Sequence, residues 1–380
     1  MPTRAESTIS ADGDRFARIG GTYVSDQAGQ TLRVVQWATG NIGSRSLRGV
    51  VAHPDLTLVG LYVHSAEKAG RDAGELIGIG STGVRATQDL EEIVALEADC
   101  VLYMAQQCNI DEICRLLESG ANVVTTRGEF HHPGSMDPTM RQRVESACQR
   151  GGTSIHSTGS SPGFISEAVP LVLASIQREL DHMVIEEFAD LSKRDSPELL
   201  FTLMGYGTQP DEFNRGRWAH GAASFGPSLR LVAEALGLPL DSVVSTGDVA
   251  TARQTTTIAA GTIEAGTVAA QRLQVDGLRH GRPLLSFMAT WYCTTDLNQE
   301  WDLRATGWRV RVAGDAPLDV EMRLDVPLEK MGEMSPGYTA NRAVNAVAIV
   351  CAAAPGIRTS VDLPQIFGTL HEGGATSTPG

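Results

Sequence analysis

The stretch 32–46 does most to restrict what this chain can fold into. It begins with an apolar run, Leu32-Arg33-Val34-Val35-Gln36-Trp37, turns through Ala38-Thr39-Gly40-Asn41-Ile42-Gly43, and enters a helical pattern that lasts to Val51. A strand that feeds a helix through so tight a turn aims backbone N–H groups outward. The helix start adds partial positive charge, so the turn suits a pyrophosphate. Ala38, Gly40 and Gly43 fall at the three glycine positions of a dinucleotide-binding turn, with Ala in the first. The same letters suit an ordinary strand–helix turn in which glycine supplies positive φ. A second apolar strand over 56–64, at the spacing of a βαβ unit, favours the nucleotide reading.

The alternation continues. Strands are expected at 33–37, 56–63, 100–104, 123–126 and 154–157, with helices at 44–51, 88–96, 111–119 and 138–150 between them. Such a pattern implies an α/β fold, a Rossmann doubly wound parallel sheet covered on both faces. After an apolar helix at 167–178 the texture changes. Strand-like runs rich in Val, Thr and aromatics occupy 183–191, 255–260, 264–275, 284–294, 301–312 and 320–326, with helices at 210–215 and 228–236. They read as a second α+β domain on a mainly antiparallel sheet. A helix over 339–353 then returns to the first domain. The expected division is an extension at 1–30, a dinucleotide-binding domain at 31–175, the second domain at 176–335, and a closing helix with tail at 336–380.

Length and charge narrow the function. A chain of 380 residues carries core enough for two domains. A formal charge of −14 argues against nucleic acid or an anionic membrane as partner. There is no apolar run long enough to span a bilayer, and the first thirty residues lack a signal-like apolar core. The six cysteines form no C-x-x-C pair and read as reduced core residues of a cytoplasmic protein.

Ligands of a parallel sheet lie beyond its strand carboxyl ends. Those ends carry Thr39-Gly40, His64-Ser65, Ala105-Gln106, Thr126-Arg127 and Thr158-Gly159. The turn Thr39, Gly40, Asn41, Ile42 and Gly43 is the candidate pyrophosphate site; Gln106, Thr126, Gly159 and Pro162 line the same crevice. The second strand ends in His64-Ser65 with no Asp or Glu there for a ribose 2′-hydroxyl. Ser65, Lys68 and Arg71 suit a 2′-phosphate, so NADP is the first choice of cofactor and NAD the second. Glu67 can pair with Lys68 or Arg71, which would leave a solvated loop instead. Glu129 follows the strand at 123–126 at the crevice mouth. It reads as an exposed loop carboxylate, or as one that accepts a proton or holds a cationic amine. The adjacent His131 and His132 point opposite ways on an extended loop and make no metal site. Gly159-Ser160-Ser161-Pro162-Gly163 has the letters of a nucleophile elbow, but Pro162 has no N–H for an oxyanion. Phe164 is placed to wall a small apolar pocket.

With these residues in hand, the chain resembles the dihydrodipicolinate-reductase-like dehydrogenases, within them the branch of 2,4-diaminopentanoate dehydrogenase and the native amine dehydrogenases. The resemblance runs over 32–360. It is carried by the turn Trp37 to Gly43, by His64-Ser65 with Lys68, Gly70, Asp72 and Gly74, and by Thr125-Thr126 with Glu129. Further motifs are Thr158-Gly159 with Pro162-Gly163-Phe164, Met204-Gly205-Tyr206-Gly207, and Asn345 through Ala354-Pro355-Gly356. It implies reversible reductive amination: a small ketone or aldehyde, ammonia and NAD(P)H give a primary amine. It implies Glu129 as the catalytic carboxylate, Asn345 beside the nicotinamide, and a substrate wall of Phe164, Met204, Tyr206 and Trp291. A homodimer formed through the second domain's sheet is implied too. Two positions depart from the branch: Ser160-Ser161 stands where Val-Asn is common, and Gly128 where relatives often carry a second carboxylate. A dehydrogenase of hydroxy or imino acids and a non-catalytic NADPH-binding sensor are the alternatives.

Overall fold

The computed structural model describes residues 31–213, 216 and 218–370. The expected extension at 1–30, the end of the expected helix at 210–215 and the last ten residues of the tail lie outside them. The chain runs β1 (Leu32–Trp37), α1 (Asn41–Ala52), β2 (Leu56–Tyr62), α2 (Ala73–Ile77), β3 (Ala86–Thr87), α3 (Leu90–Val94), β4 (Cys100–Tyr103), α4 (Ile110–Glu118), β5 (Asn122–Thr125), α5 (Pro138–Gly151) and β6 (Ser154–Ser157). It continues with α6 (Val169–Ala174), β7 (Leu180–Asp190), α7 (Trp218–Ala235), β8 (Ser242–Thr251), β9 (Thr256–Ile258), β10 (Gly261–Ile263), β11 (Val268–Arg279), β12 (Arg282–Tyr292), β13 (Gly307–Gly314), β14 (Leu318–Arg323), α8 (Leu328–Cys351) and β15 (Gly356–Arg358).

Seven strands form one parallel sheet in the order β15-β6-β5-β4-β1-β2-β3. Strand order reverses between β1 and β4, which opens a crevice at their carboxyl ends. Burial on both faces explains the apolar strands: all four residues of β4 have no exposed surface. One face packs Val101, Tyr103 and Val123 against α4 and α5; the other packs Val34, Leu102 and Val124 against α8. Local signals set the helix ends. Asp72, Asn109 and Asp137 cap α2, α4 and α5 through their side chains, and left-handed Gly152 closes α5. Each such cap contributes about 1 kcal/mol.

The second sheet has the order β14-β13-β7-β12-β11-β8; β7 and β12 pair in parallel and the other neighbours are antiparallel. Helix α7 lies on one of its faces. Phe225 stacks on Phe287 at 3.8 Å, and Leu229 and Val232 are fully buried in the same core.

Several elements differ from expectation. Helix α8 starts at Leu328, well before residue 339, because Met331, Pro336 and Ala340 are buried and packing overrides the Gly332, Pro336 and Gly337 breakers. The expected helix at 167–178 shortens to α6, preceded by a kink where Ser161, Pro162 and Gly163 leave helical geometry. The run at 301–312 pairs only from Gly307 onward. Strands β8 and β15 were not expected. The first mixes Ser, Thr, Gly and Asp at the sheet edge, and the second has three residues.

Candidate active site

The glycine turn follows from steric limits that each residue meets differently. Ala38 sits at φ 70°, the left-handed region that glycine would occupy without strain. A Cβ on Gly43 would lie 2.2 Å from the Ala38 carbonyl oxygen, so the start of α1 can approach β1 only with glycine there. Gly40 is the opposite case: its φ is −74°, and a Cβ there meets nothing within 4 Å. The space before Gly40 is a cradle open to a ligand. Buried Gln36 fixes the turn from below, donating to the carbonyls of Trp37 and Ala38 at 3.1 and 3.0 Å and accepting from Ser46 at 2.7 Å. Among the described residues no side chain caps α1, and no acidic residue stands in its first turn, which keeps its N–H groups for an anion.

Lys68 reaches back across this turn, and its Nζ donates to Thr39 Oγ1 at 3.0 Å. Ser65 is half-buried beside it, while His64, Glu67 and Arg71 are exposed. The His64 ring meets Trp37 and Tyr62 edge-on. Asn41 accepts from Arg45, and Ile42 packs toward the α8 side of the sheet. Two cationic groups thus touch the turn: Arg45 of α1 at Asn41, and Lys68 of the loop after β2 at Thr39.

At the ends of β4 and β5 the backbone delivers Glu129. Thr125 Oγ1 donates to the Tyr103 carbonyl at 2.7 Å, and the Ser157 hydroxyl donates to the Arg127 carbonyl. A short 3-10 turn, Gly128–Phe130, follows, pinned by fully buried Phe130. Arg127 Nη2 donates to Glu129 Oε1 at 2.9 Å, and Nη1 donates to the Gln106 carbonyl. The second carboxylate oxygen, Oε2, is buried and has no hydrogen-bond partner among the described residues. A buried carboxylate oxygen left unpaired costs about 1–3 kcal/mol unless a ligand donor meets it. Thr126 Oγ1 contacts Met104 Sδ at 3.7 Å on the same edge.

Two residues after Glu129, His131 is tied to a carboxylate that sequence reading passed over. Glu167 has no exposed surface; its Oε1 meets His131 Nδ1 at 2.6 Å and accepts from Ser228 of α7 at 2.5 Å, and its Oε2 accepts from Ser360. Burial pushes the Glu167 carboxyl up. The His131 charge and these three hydrogen bonds outweigh it, so the group lies below its usual range. Buried His156 stands near both. Its Nδ1 lies 2.8 Å from the Arg358 carbonyl, and burial pushes its pKa down to about 4. His132 turns the other way, to Ser135 at 2.7 Å and Glu234 at 3.1 Å.

The loop after β6 meets α8. Gly159 is extended, and a Cβ on it would lie 3.2 Å from Thr339 Cγ2. Thr339 and Ser160 hydroxyls are 2.7 Å apart, and Arg342 Nε donates to Thr158 Oγ1 at 3.0 Å. Pro162 is half-buried in the kink of this loop. Thr339 and Arg342, six and three residues before Asn345, were missed. The i, i+3, i+6 spacing on one helix was the available signal. The Asn345 amide itself lies against Gly368 of the C-terminal stretch: a Cβ built there would be 3.2 Å from its Nδ2.

Opposite, the second sheet supplies a wall. Phe164 meets Trp308 edge-on at 6.1 Å, and Trp308 meets Tyr338 at 6.3 Å. Trp291 and Met204 are half-buried next to the same core. Tyr206 departs from expectation: it is 1% exposed, and its hydroxyl donates to the Trp291 carbonyl at 3.1 Å. Its hydroxyl thus braces the backbone of Trp291. Trp308 and Glu187 were also missed.

Residues 164–374 match the family model for the 2,4-diaminopentanoate dehydrogenase C-terminal domain, and residues 34–129 the model for the dihydrodipicolinate reductase N-terminus. An amine dehydrogenase of Streptomyces virginiae is 30% identical over 88% of this chain and 96% of its own length. The 2,4-diaminopentanoate dehydrogenase of Acetoanaerobium sticklandii is 22% identical over 52% of this chain and 54% of its own. The solved structure of an amine dehydrogenase from Mycobacterium smegmatis shares the fold, with a TM-score of 0.69, 20% identity, and 89% of this chain and 98% of that one covered.

Proposed function

Because this chain belongs to the amine dehydrogenase family of NAD(P)-dependent oxidoreductases, we propose that it catalyses reversible reductive amination of a small ketone or aldehyde with ammonia to a primary amine. NADPH is the preferred hydride donor and NADH is accepted. The observation that carries the reading is Glu129, whose Oε1 is held by Arg127 while Oε2 stays buried, with no partner among the described residues, at the carboxyl edge of the parallel sheet.

The cofactor contacts follow from the chain. The N–H groups over Gly40–Gly43 hold a pyrophosphate. Lys68, with Ser65, Arg71 and His64 around it, holds a 2′-phosphate. Gln106, Thr126, Gly159, Pro162 and Asn345 would hold the nicotinamide end. A bound nicotinamide supplies or accepts the hydride. Phe164, Met204 and Trp291 wall the carbonyl substrate and keep water away.

Glu129 does the proton work. Its free Oε2 takes a proton from ammonium, the ammonia so formed attacks the carbonyl carbon, and one N–H proton passes to the carbonyl oxygen as the carbon–nitrogen bond forms. Glu129 then gives its proton to the resulting hydroxyl, so water leaves and an iminium remains. The carboxylate charge favours that cation in a dry site, and the iminium accepts hydride more readily than the carbonyl. Arg127 keeps Oε1 occupied, which leaves one oxygen aimed at the nitrogen. A cytoplasmic homodimer, paired through the face of the second sheet that bears Glu186 with Arg309 and Arg311, completes the reading.

The test is Glu129→Gln. NADPH affinity measured by fluorescence should stay within about twofold. Ammonium-dependent NADPH oxidation with a panel of small ketones should fall by about 100-fold or more, as for loss of a general acid–base. Unaltered turnover would remove Glu129 from the chemistry, and oxidation of NADPH that ignores ammonium would favour a hydroxy-acid dehydrogenase.

A further inference from the structure

The turn that carries Glu129 is weakly built by its own backbone. The hydrogen bond that closes Gly128–Phe130, from the His131 N–H to the Gly128 carbonyl, is long at 3.4 Å. A Cβ on Gly128 would meet nothing within 4 Å, so the turn starts beside open space. Side chains hold it instead. Before it, the Ser157 hydroxyl donates to the Arg127 carbonyl; within it, Phe130 is fully buried; after it, the buried His131 ring meets Glu167.

Glu167 gathers donors from three separate parts of the chain. The ionised carboxyl only accepts, so His131 Nδ1 carries the proton between them, at 2.6 Å. Ser228 of α7 donates to the same oxygen at 2.5 Å, and Ser360, two residues beyond β15, donates to the other. One carboxylate thus ties the turn to a helix of the second core and to the C-terminal stretch. Desolvation offsets much of the attraction in a buried pair, which makes it a poor device for stability alone. Its directional bonds do fix where the partners sit. The same loop has another tie to α7, from His132 to Glu234 at 3.1 Å, but that carboxylate is exposed and the pair is weak.

We propose that Glu167, acting through His131, is a positioning residue for Glu129, and that Ser360 makes the C-terminal stretch part of the same hold. This rests on the amine dehydrogenase reading of Glu129. The proton steps there need Oε2 within hydrogen-bond reach of the substrate nitrogen, and a displacement of about 1 Å costs on the order of 100-fold in rate. Glu167 needs no contact with substrate or cofactor for this role. Its loss frees the His131 end of the turn and leaves the glycine turn between β1 and α1 untouched.

The experiment places E167A in two backgrounds, the unaltered full chain and E129Q. Turnover is ammonium-dependent NADPH oxidation with a small ketone, counted per NADPH-binding site by fluorescence titration, so that unfolded protein does not enter. E167A should lower turnover by about tenfold or more in the unaltered chain and by less than about twofold in E129Q, with NADPH affinity within about twofold in both. Amide exchange over residues 128–132 should speed up by about tenfold in E167A. E234Q cuts only the exposed tie and should leave turnover and exchange as they are. S360A removes one donor while His131 stays paired; it should show the E167A pattern at about threefold, and it serves if E167A does not fold. An equal fall in both backgrounds marks a general structural role and overturns the proposal, as does unchanged turnover in E167A or unchanged exchange over 128–132. An E129Q chain that turns over like the unaltered one removes the amination reading, while exchange still decides whether Glu167 holds the turn.

Discussion

At the carboxyl edge of the parallel sheet the crevice is built from backbone. Glycines, carbonyls and helix N–H groups define it, and side chains such as Gln36 and Thr125 only brace it. Across from it, the second sheet builds its wall from side chains: two indoles, a phenyl ring and a carboxylate in fixed register. The backbone half fits a component common to many oxidoreductases, a dinucleotide. The side-chain half can change by substitution without moving a strand, so the proposed reaction places substrate choice there. Glu129 belongs to the first half by position and, in the proposed reaction, serves the second by chemistry.

Two glycines separate fold from function within the backbone half, and they give the largest expected effects. Gly43→Ala puts a methyl 2.2 Å from the Ala38 carbonyl oxygen, a clash of backbone with backbone that no rotamer relieves. The cost should be roughly 3–5 kcal/mol, seen as a large fall in melting temperature or loss of soluble protein. Gly40→Ala meets open space at an allowed φ. Its stability should change by less than about 1 kcal/mol. The methyl would occupy the cradle, however, and NADPH should bind at least ~10-fold more weakly by calorimetry, about 1.4 kcal/mol. If both variants behave alike, the distinction between a packing glycine and a ligand-facing glycine fails.

The joint between the halves predicts acid sensitivity. Glu167 links the Glu129 loop through His131, α7 through Ser228, and the C-terminal stretch through Ser360, with His156 close by. Burial lowers His156 from 6.5 to about 4, so the unfolded chain takes up a proton below pH 6.5 that the folded chain refuses until about pH 4. Stability is full above that window and should fall by about 3 kcal/mol as pH drops through it. Glu167, also lowered, adds a second loss at more acid pH, since its contribution is present above the ordinary carboxylate range and disappears as the folded group protonates. Urea unfolding at pH 7 and pH 4.5 measures the first window. His156→Gln should flatten the slope there, and an unchanged slope would assign the acid loss to other groups.

What the sequence made legible divides along the same line. The turn at 38–43 could be read because backbone constraints select residue types at fixed local spacing, as the Cβ contacts of Gly43 bear out. The parallel sheet followed from the alternation it imposes. Glu129 stood out because it lies just past a strand end. Its partner Arg127 is two residues away and was still passed over, since an adjacent charge pair usually lies in solvent. Glu167 looked like the start of an apolar helix, and only tertiary structure brings it to His131. Trp308 and Glu187 lie 121 positions apart and meet through a strand pairing that no local pattern encodes. The start of α8 was hidden for a related reason: breakers at 332, 336 and 337 are local, and the packing that overrides them is not.

The smallest effect tests whether the backbone half is optimised even where its own rule is broken. Ala38 holds φ 70° at the position where a dinucleotide-binding turn has glycine. An alanine in that region pays roughly 1–2 kcal/mol relative to right-handed backbone. Glycine would remove this strain but lose about 0.5–1 kcal/mol through the greater freedom of its unfolded chain. The Ala38 methyl also sits in a buried contact, at 8% exposure, and its removal forfeits part of the gain. Ala38→Gly should therefore stabilise by at most about 1 kcal/mol, a rise of about 1 °C in melting temperature for a chain of this length. NADPH affinity should not change, because the turn keeps its path and Gly40 its open cradle. A destabilised Ala38→Gly variant would mean that the methyl packs the turn in place of the missing glycine, and that this edge too is made partly of side chains.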